Sequence, residues 1–422
     1  FERALKDELG TRPGAETLEL LATIEHAQPA RPARRALVPA ALRRPPRMIG
    51  RDAELAALDA AWAAGRVFLV LGEAGMGKSR LLAEFAASRG DCVIAQARPG
   101  DAAVPFALLA RLLRAAQEAT LRPANGATAG VPALDEPTRH ELARVLPELG
   151  SGLSAAGEGR RLLLQRAIEP LLAALHARGL AALLVDDLHF ADAASLELLQ
   201  SLPAAERLAA LHWGLAQRPG EGGAAARALA DALQETQRLQ QVPLAPLDAA
   251  AMRALVDSLG LPELDAAALA APLVRHTGGN PLYALETLKE MVVAGVAAAG
   301  GLPQPATVGV LIERRLAQLS APALSLARVA AIAGVDFSIE LAERVLQTPA
   351  LALADAWREL ESSQVLVGTA FAHDLVYEAA LRSVPAEIAR HVHAAVAEHL
   401  QARGGEPARL ALHWEAAGHD QR

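Results

Sequence analysis

The run Gly72-Glu73-Ala74-Gly75-Met76-Gly77-Lys78-Ser79 fits G-x-x-x-x-G-K-[ST], a spacing suited to wrapping backbone around a chain of phosphates. Glycines let the chain curl so that successive N–H groups face an anion, and a helix starting at Lys78 adds its positive end. In that arrangement Lys78 reaches the β- and γ-phosphates and the Ser79 hydroxyl ligates Mg²⁺. An ordinary glycine-rich turn is the plainer alternative. Composition weighs against it: the only lysines are Lys6, Lys78 and Lys289, so a lysine at the motif position is unlikely to be there by chance.

Further along, Ala181-Ala-Leu-Leu-Val185 runs into Asp186-Asp187, an apolar strand ending in two carboxylates. Opposite a phosphate loop, Asp186 would order Mg²⁺ and Asp187 would orient the attacking water, because phosphoryl transfer depends mainly on positioning and charge compensation. The pair could instead cap a helix, although Asp192 or Ser195 suits that role better. Arg218 stands where Leu211-His-Trp-Gly-Leu-Ala-Gln runs out into Arg218-Pro219-Gly220, and a guanidinium at a strand's carboxyl end can read a γ-phosphate. An exposed loop arginine is the other reading. Asn280-Pro281 is fully explained as a helix N-cap followed by proline at the first helical position. His373-Asp374 reads as a helix start, and His391, His393 and His399 as surface histidines without the further spaced ligands that zinc needs.

These residues need a frame. Strand candidates at Val67–Leu71, Cys92–Ala97, Leu180–Val185, Leu208–Ala216 and Leu239–Leu244 alternate with helical patterns, which predicts a parallel sheet with helices on both faces. Arg122 to Pro132 and Gly150 to Gly159 read as surface loops. After Pro246 the pattern turns helical, with one apolar run at Gln364 to Phe371 suited to a hairpin or wing. Phe1 to Glu25 reads as two short amphipathic helices, and His26 to Arg47, rich in proline and arginine, as an exposed linker.

The length of 422 residues suits several domains. With 52% hydrophobic but only 3% aromatic residues, the composition is that of an alanine- and leucine-rich helical protein. Mean hydropathy is +0.20, yet no apolar run approaches the roughly 20 residues of a membrane span. A net charge of −7 gives no global case for nucleic-acid binding. A single cysteine, Cys92, excludes an internal disulfide, and no signal peptide is visible, so a cytoplasmic location is expected.

Taken together the motifs resemble the STAND class of P-loop ATPases (signal-transduction ATPases with numerous domains) found in large bacterial regulators of the LuxR and antibiotic-regulator types. Met48-Ile49-Gly50-Arg51 is similar to that family's opening segment near the adenine. Val104-Pro105-Phe106 is similar too, and Leu183 to Leu196 resembles the extended Walker B signature, with Phe190 where tryptophan is common. The resemblance implies a site for ATP or ADP with Mg²⁺. It places Ile49, Gly50, Arg51, the loop from Gly72 to Arg80, Asn280 and Pro281 around the nucleotide, and Lys78, Asp186, Asp187 and Arg218 in catalysis. Ser79 and Asp186 would hold the metal. Phe371-Ala-His373-Asp374 resembles a winged-helix motif whose histidine touches the β-phosphate of ADP.

The implied fold is an α/β P-loop NTPase domain over 48–245, an all-α lid over 246–300, a winged-helix-like arm over 301–405 and the start of helical repeats over 406–422. Leu5 to Leu18 resembles the end of a bacterial transcriptional activator domain, assigned to 1–25 and joined by the linker 26–47. The expectation is therefore a fragment of a transcription regulator, with slow ATP hydrolysis resetting a switch. DNA would be bound only through a domain before Phe1, and an unknown effector through the C-terminal repeats. Self-association could depend on the nucleotide; no membrane partner is expected. A module fused to a cyclase or kinase, or a stand-alone oligomeric remodelling ATPase, are the alternatives.

Overall fold

A computed structural model describes residues 38–121, 132, 134–150, 160–294 and 308–419. The helices expected within Phe1 to Glu25, and almost all of the two surface loops, lie outside the described residues. Five strands form one parallel sheet: β1 (Val67–Leu71), β2 (Cys92–Gln96), β3 (Ala182–Asp186), β4 (His212–Gln217) and β5 (Leu239–Pro243), in the order β2-β3-β4-β1-β5. The central strands are buried along almost their whole length, whereas the edge strands β2 and β5 alternate. That contrast is the one expected when helices cover both faces of a sheet.

Odd and even residues of the strands feed two different cores. Leu69, Val93, Leu183 and Leu215 pack with helices Ala107–Leu121, Arg160–His176, Ala193–Ser201 and Gly223–Glu235. Phe68, Val70, Leu184 and Ala216 pack on the other face with Leu58 and Ala61 of helix Asp52–Ala63 and Leu81, Leu82 and Phe85 of helix Lys78–Ala87. Gly214 is required here, since a Cβ would stand 2.2 Å from the Phe68 ring. The expected parallel sheet is present, with one change: Leu208 ends a short 3-10 turn, Glu206–Leu208, and β4 begins only at His212.

Helices Ala249–Ser258, Ala266–Thr277 and Pro281–Ala294 build a third core around Met252, Leu255, Leu273 and Leu288. Asp248 and Asp265 cap the first two by accepting N–H bonds from Ala251 and from Ala267 and Ala268. The exposed linker is corrected in its described part. Ala40–Arg43 forms a helical turn whose Leu42 is fully buried in this third core, against helix Pro281–Ala294.

A fourth core joins helices Val308–Ala317, Ala321–Ala333, Ile339–Leu346, Ala350–Ser362, Asp374–Arg382 and Ala386–Ala402. Within it, β6 (Leu366–Val367) and β7 (Ala370–Phe371) make the small antiparallel hairpin foreseen in Gln364 to Phe371. Helix Pro407–Ala416 packs on Ala386–Ala402 and buries Trp414. His393 is not a simple surface histidine: its Nδ1 lies 2.8 Å from Nδ1 of the buried His413, whose Nε2 is 3.4 Å from Asp336. Helix Pro407–Ala416 folds back onto this face, a packing that no local pattern encodes.

Candidate nucleotide-binding site

Strand order brings the chemistry together. β4 lies between β1 and β3, so Arg218, just beyond β4, emerges between the loop that follows β1 and the aspartates that end β3. Ligands of open α/β sheets bind at such carboxyl ends. A cavity of about 440 Å³ opens there, of the size that holds a small organic ligand. Ile49, Arg51, Ala74, Gly75, Met76, Gly77, Lys78, Ser79, Arg80, Asp187, Arg218, Pro281 and His373 all line it.

The loop has the curl that its glycines permit. Gly75 and Gly77 have φ of +81° and +94°, left-handed values that side chains disfavour. Lys78 is buried and turned back on the loop, donating to the carbonyls of Gly72 at 2.8 Å and Glu73 at 3.2 Å. Burial pushes the Lys78 ammonium below its usual pKa, and the carboxylates of Asp187 and Asp186 work against that shift.

Five expected site residues, Gly50, Gly72, Glu73, Asp186 and Asn280, do not line this cavity. Gly50 has φ +67° and is pressed by Ala251, which a Cβ would meet at 2.9 Å. Gly72 and Glu73 present carbonyls to Lys78. Asp186, at the end of β3, is hydrogen-bonded to Ser79 and accepts from the Asp187 N–H at 2.9 Å. Its pKa rises to about 6, because of burial first and Asp187 second. Asn280 accepts from the Leu282 N–H at 3.1 Å, as a cap does, and also donates to the Ala74 carbonyl at 2.8 Å. It therefore fastens the third helical group onto the loop, while Arg51, at the start of helix Asp52–Ala63, holds the loop by donating to the Met76 carbonyl at 3.1 Å.

Asp187 holds a left-handed backbone, φ +52°, and its Oδ2 accepts from Gln96 at 2.7 Å. Two residues on, His189 is almost fully enclosed, with burial and the charges of Arg218 and Lys78 lowering its pKa to about 3. Asp192 caps helix Ala193–Ser201 as expected, accepting from Ser195 at 2.8 Å, and also accepts from the N–H of Phe106 at 2.7 Å. This ties the Val104-Pro105-Phe106 turn to the segment after β3.

Arg218 is neither an exposed loop residue nor free. It is 5% exposed, and its guanidinium donates to Asp374 at 3.0 Å and Glu378 at 3.0 Å, both on helix Asp374–Arg382. Burial and Asp187 push the Asp374 carboxyl up to about 6, with Arg218 opposing them. His373 meets solvent through the cavity yet lies deep among its neighbours. That depth, with Lys289 and Arg315 nearby, lowers its pKa to about 4, so the imidazole is neutral at pH 7.

Sequence reasoning missed several of these partners. Gln96 pairs in register with Asp186, which only the strand order reveals. Glu378 gives no motif at all. Lys289 lines the cavity and donates to Glu286 at 2.9 Å; its signal was available, since lysines are so few.

The family model described as an AAA ATPase domain matches residues 47–216. Over that stretch the chain is similar to AAA-type P-loop ATPase domains. The match runs through β1, β2 and β3 and ends at Ala216 in β4, so Arg218 lies beyond it. The sequence matches none of the curated proteins.

Among solved structures, the chain is similar to a signal transduction ATPase with numerous domains, carrying a tetratricopeptide repeat sensor, from Pyrococcus horikoshii. Identity is 16% and the TM-score 0.52, over 89% of this chain and 48% of that one. The chain thus spans about half of that relative's length, and the likeness is one of fold. A Walker-type ATPase of Pyrococcus abyssi is 15% identical with a TM-score of 0.39, over 79% of this chain and 96% of that one. The ORC1 protein of Aeropyrum pernix, solved in complex with DNA, is 14% identical with a TM-score of 0.40, over 87% of this chain and 86% of that one. No helix among the described residues is long and apolar enough to cross a membrane.

Proposed function

We propose that the chain is an ATP/ADP-dependent switch that binds Mg–ATP in this cavity, hydrolyses it slowly and changes domain arrangement with the state of the nucleotide. The observation that carries this reading is the engagement of Arg218 by Asp374 and Glu378. An arginine placed to read a γ-phosphate is taken up by a helix of another core, so that helix and a γ-phosphate compete for one guanidinium. ADP leaves the contact intact; ATP draws Arg218 away and loosens the helix.

The chemistry follows from the same residues. Lys78 exchanges the Gly72 and Glu73 carbonyls for phosphate oxygens. Ser79 and Asp186, already hydrogen-bonded to each other, are an oxygen donor pair suited to Mg²⁺, which neutralises charge on the β- and γ-phosphates when bound. Asp187, fixed by Gln96, orients the attacking water. His373 offers a neutral imidazole towards the phosphates, and Pro281 and Ile49 an apolar edge to the base.

The wider role proposed is control of a transcription regulator, supported by the resemblance of the motifs and of Leu5 to Leu18. DNA binding is assigned to a domain before Phe1, and effector sensing to repeats beginning near residue 406. Denaturing the purified protein and identifying the released nucleotide tests the ligand. The proposal expects ADP or ATP, or uptake of Mg–ATP by empty protein. Neither release nor uptake of an adenine nucleotide would refute it.

A further inference from the structure

Beside the cavity, Asp187 and His189 of the ATPase domain meet Asp374 of the C-terminal helical group. One ligand atom from each lies within 4.8 Å of the other two. Among the described residues neither ring nitrogen of His189 has a hydrogen-bond partner, although the side chain is only 2% exposed. Its Nε2 is 3.6 Å from Glu221, beyond bonding range. Burying an imidazole this way is unfavourable unless something fills the gap. The two carboxylates are held from outside: Gln96 bonds Oδ2 of Asp187 and Arg218 bonds Oδ2 of Asp374, and each retains a second oxygen.

We infer that Asp187, His189 and Asp374 form a site for a divalent transition-metal ion of the zinc class, which clamps the C-terminal helical group onto the ATPase domain. An imidazole with two carboxylates favours such ions over Mg²⁺ or Ca²⁺. Three protein ligands leave a fourth position open, as in many zinc sites. Coordination at about 2.0–2.2 Å sets ligand atoms roughly 3.5 Å apart, which small side-chain rotations achieve from the observed spacing. Charge nearby also suits a cation: Asp186, Glu221 and Glu378 stand with the two carboxylate ligands, against Lys78 and Arg218. The site uses neither Ser79 nor Asp186, the pair proposed for Mg²⁺, and adjoins it through Asp187. A metal here would engage Asp187 and keep Asp374 in place, holding the closed arrangement. That consequence rests on the proposed switch; binding itself rests on the three side chains alone.

The test is equilibrium dialysis of the nucleotide-free chain against ZnCl₂ in Mg²⁺ buffer, with Mg–ATP binding measured separately. The wild type should take up one equivalent with micromolar or tighter affinity. His189→Phe and Asp374→Asn should each weaken that equivalent by about tenfold or more. His189→Phe is expected to fold, because the ring makes no hydrogen bond to lose and packs against Phe190 at 4.1 Å; a thermal melt confirms it. Co²⁺ should give a visible absorption band in the wild type that His189→Phe lacks. No tight uptake by the wild type, or equal uptake by a folded His189→Phe, would overturn the assignment, whatever Mg–ATP does.

Discussion

Nη2 of Arg218 donates to Oδ2 of Asp374 at 3.0 Å, joining the carboxyl end of β4 to the first turn of helix Asp374–Arg382. The pair ties the C-terminal helical group to the ATPase domain beside Lys78 and His373, while helix Pro407–Ala416 also packs against the turn Asp101–Ala103. Charge-assisted bonds of this kind contribute about 1.5–3 kcal/mol when little exposed. Arg218→Ala should therefore speed release of a fluorescent ADP analogue by roughly tenfold or more, since 1.4 kcal/mol is a factor of ten. Release at the wild-type rate, followed by stopped-flow fluorescence, would show that the contact does not hold the closed state.

Loop and metal residues should separate binding from chemistry. Lys78→Ala is expected to abolish nucleotide binding in a calorimetric titration. Asp187→Asn is expected to bind Mg–ATP near normally while phosphate release falls by roughly a hundredfold. Hydrolysis equal to that of the parent would remove Asp187 from the water-orienting role.

Closure of the third helical group on the loop depends on Asn280 and Gly75. A Cβ on residue 75 would lie 2.8 Å from both Asn280 Oδ1 and Leu282 Cβ, in a backbone region with φ +81°. Gly75→Ala should thus weaken nucleotide affinity and lower the melting temperature. Asn280→Ala, which loses a cap and the bond to Ala74, should cost about 1–2 kcal/mol in chemical denaturation. Wild-type stability in both variants would mean that the loop does not need the helices against it.

Opposite pH dependences should meet at this junction. His373 is lowered from 6.5 to about 4, by burial and then by Lys289 and Arg315, so the unfolded chain takes its proton first. Its contribution is present above pH 6.5 and is lost as pH falls through about 4. Asp374 is raised from 3.8 to about 6, so its contribution is present below 3.8 and is lost as pH rises through about 6. In nucleotide-free calorimetry, His373→Gln should lessen the acid-side loss of melting temperature, and Asp374→Asn the loss between about 4 and 6. Unaltered profiles would assign the titration to other groups.

The phosphate loop, the aspartate pair and the sheet were legible because each rests on local pattern. A buried parallel strand needs a continuous apolar run, and a loop that wraps phosphate needs glycines at fixed places. Long-range partners were not legible. Gln96 reaches Asp187 only because β2 pairs with β3, and Glu378 reaches Arg218 only because two cores meet. Arg43 to Arg47 looked like a linker by composition, yet Leu42 beside them is anchored in a core and the segment borders the cavity. His393 was not legible for the same reason, as its partner His413 lies on a helix whose packing no local pattern encodes.

The central claim is that a γ-phosphate and helix Asp374–Arg382 compete for Arg218. Fluorophores on helix Gly223–Glu235 and helix Ala386–Ala402 would report their separation by energy transfer, with Mg²⁺ and either ADP or a non-hydrolysable ATP analogue. The account predicts low separation with ADP, greater separation with the analogue, and no nucleotide dependence in Arg218→Ala. Equal separation with both nucleotides in the wild type would contradict it.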